Sequence, residues 1–199
     1  MRIDIMTLFP ETLGDVLSES ILGRAQERGF IQIDTHQIRD YTANKQNQTD
    51  DYPYGGGRGA VMTADPLYRC WAHIKETYGE GKRTRTIYMS PCGHTFKQAD
   101  AIRLSQMENI IMVCGHYEGI DERVLEEIVT DYISIGDFVL TGGELPAMMM
   151  VDAISRLVPG VLHNDDSSMD ESFENGLLEY PQYSRPAVWN GKEVPPILL

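Results

Sequence analysis

Apolar positions along the chain recur first at every second residue and then every three to four, and this switching predicts strands and helices in turn. Ile3 and Ile5 alternate with polar residues and Phe9-Pro10 ends the run, so Arg2 to Leu8 reads as a first strand. A short helix is expected from about Ser18 to Arg28, capped by Gly29, followed by an alternating strand from Ile31 to Ile38. Asp65-Pro66 opens the next helix in N-cap and N1 order, and Leu67 to Tyr78 keeps amphipathic spacing. Thr84 to Ser90 reads as a strand stopped by Pro91, Lys97 to Met107 as helix, and Asn109 to Cys114 as strand. An acidic helix from Asp121 to Val129, a strand from Asp131 to Ile135 and a last helix from Leu145 to Val158 complete the series. Pro146 stands near the start of that last helix and Pro159-Gly160 beyond its end. Alternation of this kind predicts an α/β fold, a mainly parallel sheet flanked by helices.

Two of these strands empty into glycine-rich turns. Ile110 to Cys114 and Tyr132 to Ile135 are apolar and β-branched, as strands buried in an α/β sheet are. Small ligands bind at the carboxyl ends of such strands. The turns Gly115-His116-Tyr117-Glu118-Gly119 and Gly136-Asp137-Phe138-Val139-Leu140-Thr141-Gly142-Gly143 are therefore candidate walls of one pocket. Their glycines let backbone approach a ligand closely, although tight turns with positive φ would produce the same letters.

Elsewhere the pattern lapses. Asp40 to Arg58 is a long polar loop, of a length that inside a compact domain is functional or disordered. Its Gly55-Gly56-Gly57 invites comparison with a phosphate cradle, but no Gly-Lys-Ser or Gly-Lys-Thr follows, which excludes a P-loop. A flexible turn and a substrate-contacting loop both remain open there. His163 to Asn175 is acidic and serine-rich, the composition of a linker that orders only against a partner. Pro181, Pro186, Pro195 and Pro196 forbid a continuous helix after it.

Composition narrows the function. The 199 residues carry a formal charge of -13, which opposes nonspecific nucleic-acid binding because phosphate neutralisation needs surplus cations. No apolar run is long enough to cross a membrane and no secretory signal opens the chain, so the cytoplasm is the expected compartment. Cys70, Cys92 and Cys114 cannot all pair. Cys92-Gly93-His94 and Cys114-Gly115-His116 share a spacing that could supply zinc ligands, but each cysteine ends an apolar strand, and buried cysteines are the favoured reading. Asp152 and Arg156 lie four apart on the last helix, an ordinary ion-pair spacing that also leaves Arg156 able to orient a carboxylate or phosphate.

With these stretches in hand, the chain resembles the bacterial tRNA (guanine-N1)-methyltransferase family, which modifies the guanosine 3′ of the anticodon. DDYPYGGG, SPCG, CGHYEGIDERV, ISIGDFVLTGGE, DAISRLVPGVL and SFENGLLEYPQYSRP fall in the family's order and spacing over the whole chain. The resemblance implies a SPOUT-like fold with a carboxyl-terminal trefoil knot, and a bent S-adenosylmethionine in the knot loops. By motif, Tyr88, Ser90, Pro91, Gly115, Tyr117, Glu118, Gly119, Ile135, Gly136, Phe138, Leu140, Gly142 and Gly143 would line its site, with Asp137 and Val139 in the same turn. The family's base is an aspartate just before the Ser-Phe pair; here that position is Glu171, preceded by Asp170, and Arg156 matches the arginine that supports the guanine edge. The family is also described as using Mg²⁺, for which no ligand set can be read. It acts as a homodimer on the tRNA anticodon stem-loop.

The implied organisation is a knotted donor-binding domain over residues 1–160, a flexible linker over 161–178 and, over 179–199, the start of a carboxyl-terminal tRNA-binding domain that is cut short. That shortening, the acidic charge and Glu171 support a second reading, a dimeric S-adenosylmethionine-binding module with little or no RNA turnover. A flavodoxin-like regulator fits poorly, because the glycines fall late in the chain instead of after the first strand.

Overall fold

A computed structural model describes residues 1–162 and 181–199. The chain divides into two compact units, Met1–Asp165 and Asp166–Leu199. The first is built on a five-stranded, wholly parallel sheet in the order β2-β1-β6-β5-β7. Its strands are β1 (Arg2–Thr7), β2 (Gln32–Gln37), β5 (Thr84–Thr95), β6 (Asn109–Val113) and β7 (Asp131–Ser134). A small antiparallel pair, β3 (Asp50–Asp51) and β4 (Val61–Met62), stands apart within the long polar loop. The helices are α1 (Gly14–Ser18), α2 (Ser20–Glu27), α3 (Ala64–Tyr78), α4 (Gln98–Ser105), α5 (Glu122–Ile128) and α6 (Glu144–Ser155).

The pleat of the central strands sorts the core into two layers. Ile3, Ile5, Ile110, Met112 and Cys114 meet Leu22 and Ala25 of α2, Ala101 and Leu104 of α4 and Ala147, Met150 and Ile154 of α6 on one face. Met6, Ile111 and Val113 meet Leu67, Cys70 and Ile74 of α3 and Val124, Leu125 and Ile128 of α5 on the other. Each such aliphatic side chain contributes roughly 1.5 to 3 kcal/mol on leaving water. Coverage of both faces explains why every residue of β1 is buried, although its alternation reads as half-exposed. Asp4 is fully buried, and its carboxylate accepts from the Arg2 guanidinium at 2.6 and 2.8 Å and meets His36 Nε2 at 2.8 Å.

Several element boundaries differ from the sequence expectation. The helix expected from Ser18 to Arg28 is α2; α1 precedes it unforeseen, the two part at Glu19, and Ser20 takes a left-handed φ of 55°. Helix α3 begins two residues earlier than Asp65-Pro66 predicts: Thr63 is its N-cap, and the Thr63 amide and hydroxyl both donate to the Thr49 carbonyl, at 2.8 and 3.2 Å. Strand β5 does not stop at Pro91. Met89 and His94 both pair with Ile133, so residues 90–93 bow out and the strand resumes to Thr95. Helix α6 ends at Ser155, with Arg156 as its C-cap.

Described residues of the second unit form a hairpin of β8 (Val188–Trp189) and β9 (Lys192–Glu193) and a 3-10 turn at Pro196–Leu198. The acidic stretch expected to link the two parts falls, from residue 163 onward, outside the described residues, as do Asp170 and Glu171. Among the described residues no helix is long and apolar enough to cross a membrane.

Candidate functional site

Three parallel strands, β5, β6 and β7, end at the same edge of the sheet, and the segments leaving them enclose a cavity of about 220 Å³. Residues 88–91 supply one wall, residues 115–119 a second, and residues 133–136 with 138–143 the third, closed by Pro146. Roughly 300 Å³ is the lower end for small-molecule sites, so a nucleoside-sized ligand would fill this cavity and remain partly uncovered.

What brings the two glycine turns together is backbone packing. The Gly143 amide donates to the Gly115 carbonyl at 3.0 Å, and a Cβ on Gly143 would stand 2.7 Å from Cys114 Cα and 3.0 Å from the Gly115 nitrogen. Only glycine permits that approach. Tyr117, at the tip of the first turn, holds a left-handed φ of 58° that a bulky side chain seldom adopts, so the loop around it must enforce the conformation. Phe9 and His116 pack at a 56° tilt with ring centroids 4.9 Å apart, and His116 meets Tyr117 edge-on at 5.2 Å, which packs the turn back against the end of β1.

Each residue that the sequence places at the site can now be located. Tyr88, Ser90, Pro91, Gly115, Tyr117, Glu118, Gly119, Ile135, Gly136, Phe138, Val139, Leu140, Gly142 and Gly143 all line the cavity; Asp137 does not. Met89, Ile133, Ser134 and Pro146 also line it. Met89, Ile133 and Ser134 carry no chemical signature in the sequence beyond their place at a strand end, the one cue by which they could have been found. Arg156 sits half-buried at the C-cap of α6, outside the cavity lining.

Burial raises the Tyr88 phenol above its ordinary range, with Glu122 and Tyr132 adding to the shift, so the group stays a neutral hydrogen-bond donor. Complete burial pushes the Cys114 thiol well up, and nearby Glu144 acts in the same direction, which leaves it inert as a nucleophile. Cys92 is exposed, and among the described residues no three His, Cys, Asp or Glu come together to hold a metal ion. The walls therefore offer apolar surface from Ile133, Leu140 and Pro146, backbone groups laid open by glycine, and one acid, Glu118. That combination suits a planar heterocycle carried on a positively charged small molecule.

Comparison with known proteins agrees with this geometry. The family described as tRNA (Guanine-1)-methyltransferase TrmD matches residues 1–199. A tRNA (guanine-N(1)-)-methyltransferase of Lachnospira eligens is 56% identical over 199 residues, all of this chain and 84% of that protein. Its namesake in Clostridioides difficile is 52% identical, again across the whole chain and 86% of the relative. Among solved structures, the tRNA (m1G37) methyltransferase from Aquifex aeolicus superposes with a TM-score of 0.84 at 33% identity, covering 100% of this chain and 82% of that one. A match that runs the full length, at identities above half, and a shared parallel sheet lead to one conclusion: the chain belongs to the tRNA (guanine-1)-methyltransferase family.

Proposed function

We propose that the protein transfers a methyl group from S-adenosylmethionine to N1 of the guanosine 3′ of the anticodon in tRNA. What supports this most directly is the packing of Gly143 on Gly115, which closes two glycine turns around one cavity at the strand ends. The lining fits the donor: aliphatic walls for the adenine, open backbone for its polar edge, and the Glu118 carboxylate to complement a cationic group. When bound, the donor supplies an electrophilic methyl on a sulfonium.

The chain's own residues do the rest. N1 of neutral guanine carries a proton that must leave as the new bond forms, and Glu171, with Asp170 beside it, is assigned as the base that takes it. Arg156 presents planar donors to the guanine edge, where negative charge builds as the proton departs. The cavity walls hold the donor so that nitrogen, methyl carbon and sulfur can come into line. Because the base edge must reach this cavity, the guanosine leaves its stack, as unpaired loop nucleotides readily do.

A homodimer is part of the proposal, with the residues after 162 of one copy reaching the cavity of the other. So are the carboxyl-terminal knot, the division into a donor-binding domain (1–160), a linker (161–178) and a tRNA-binding part (179–199), a cytoplasmic location and the use of Mg²⁺, to which no ligands are assigned.

The test is transfer of a radiolabelled methyl group to tRNA transcripts. One methyl per transcript is expected, lost when the target guanosine is replaced by adenosine and abolished by Glu171→Gln or Arg156→Ala. Label that survives the guanosine replacement would refute the assignment of substrate.

A further inference from the structure

We propose that Tyr52 and Tyr54, flanked by Arg58 and Arg123, form a stacking subsite for the unpaired nucleobases on either side of the guanosine that is methylated. This rests on the function proposed above and extends it to a loop whose role the sequence leaves open.

The loop between β3 and β4 is anchored at its base and along its return limb. Asp50 pairs with Met62 and Asp51 with Val61. On the return, the Glu118 amide donates to the Ala60 carbonyl at 3.0 Å and the Met62 amide to the Gly119 carbonyl at 2.9 Å. Gly59, with φ of 85°, lies so close to Glu118 that a Cβ would stand 2.6 Å from its Cγ. Glu118 lines the cavity, so the loop is fastened to the cavity's rim.

On that loop Tyr52 is 85% exposed and Tyr54 is 99% exposed. Neither ring packs in a core cluster, so folding stability gives no reason for two large aromatic faces held in water. Their neighbours are cations in a chain with 17 basic and 30 acidic residues. Arg58 is exposed on the same loop. Arg123 is clamped by a double hydrogen bond to Asp121, at 2.9 and 2.6 Å, which fixes its guanidinium while leaving the side chain 78% exposed. The Asp121 amide donates to the Met62 carbonyl at 3.0 Å, which seats this clamp beside the loop's return strand.

Exposed aromatic faces interleaved with fixed cations, at the mouth of a pocket for a small electrophile, match the chemistry of a single-stranded nucleic acid. Bases stack on the rings and phosphates meet the guanidinium groups. An overall acidic surface elsewhere would repel RNA and so favour docking at this one rim.

The experiment uses the full chain and full-length tRNA transcripts in which 2-aminopurine replaces the nucleotide immediately 5′ or 3′ of the target. With the unaltered protein, binding should quench the probe at one or both places. Tyr52→Ala and Tyr54→Ala should relieve the quench and raise KM for tRNA roughly five- to hundredfold, with kcat and donor affinity held within about twofold. Tyr→Phe at each position should restore both readouts, since the ring and not the hydroxyl is used. Arg58→Gln and Arg123→Gln should flatten the dependence of tRNA affinity on salt. Alanine variants with normal KM and quench, or phenylalanine variants that fail to rescue, overturn the subsite while leaving the methyl transfer intact. Failure of the unaltered protein to bind or methylate tRNA overturns the proposed function and the subsite with it.

Discussion

The hydroxyl of Thr7, the last residue of β1, donates to Glu144 Oε1 at 2.7 Å, joining the end of the first strand to the first residue of α6 across 137 positions of sequence. Thr7 is fully buried and Glu144 is 7% exposed, so this carboxylate sits out of water at the foot of the second glycine turn. The same hydroxyl accepts from the Phe9 amide at 2.9 Å, which bends the chain where Phe9 packs against His116. Thr7→Val keeps the shape and removes both bonds. A hydrogen bond to a buried charge contributes about 1.5 to 3 kcal/mol, so urea unfolding should show a loss of that size, with donor affinity falling alongside. An unchanged urea midpoint would show that Glu144 finds another partner.

Gly143→Ala tests the contact that holds the two turns together. The added Cβ meets backbone, at 2.7 Å from Cys114 Cα, and backbone cannot swing aside as a flexible side chain can. Overpacking of this kind costs about 1 to 3 kcal/mol, and here it forces apart the walls of the cavity. Titration calorimetry should show donor affinity reduced at least about tenfold. Binding as tight as in the unaltered protein would mean that the donor does not lie between these turns.

The turns themselves were legible because each follows a short, buried, β-branched strand and breaks into glycine. Their meeting was legible only through the strand-end rule, since the Gly143 amide bond to Gly115 joins residues with no common sequence feature. Pro91 misled for a physical reason. Proline ends most strands, but here residues 90–93 bow out and Ile133 pairs on both sides of the gap, a tertiary event that no local pattern records. At the junction of α1 and α2, Gly23 lies so close to the Ser18 carbonyl that a Cβ would clash with its oxygen, a contact that local spacing does not reveal. The alternation in β1 leaves the environment of Asp4 unspecified. Its burial depends on Arg2 and His36 arriving from two parallel strands. The burial of Glu144 was likewise hidden, because an acid at a helix start reads as an ordinary partner for the dipole.

Acid should weaken the anchorage of the bowed-out segment. Burial alone would raise the Asp100 carboxyl, but hydrogen bonds from His94 and the Lys97 amide, and the nearby Arg103, outweigh it and hold the group below the usual range. A depressed folded value gives stability that is present above the unfolded pKa of about 3.9 and is lost as pH falls through the folded one. Asp100 also caps α4, and loss of a cap costs about 1 kcal/mol. Asp100→Asn should therefore be less stable than the parent by about that amount at neutral pH. Urea midpoints compared down the pH scale should begin to converge below about pH 4 and meet only beneath the depressed folded value, and a gap that persisted there would assign the stabilisation to shape instead of charge.

Arg156→Lys separates a chemical role from a structural one. As the C-cap of α6, Arg156 stands where a cation favours the helix dipole, and lysine preserves that charge, so thermal stability should hardly move. Lysine does not preserve the planar, paired donors that can follow charge onto both N1 and O6 of a guanine losing its proton. If those donors act in the transition state, kcat should fall by about 10² to 10³ while donor affinity and KM for tRNA stay near their original values. Single-turnover methyl transfer measured beside a thermal melt gives both quantities. A drop in melting temperature with transfer intact would reduce Arg156 to a helix cap, and the stabilisation of the guanine edge would then have to come from a different side chain.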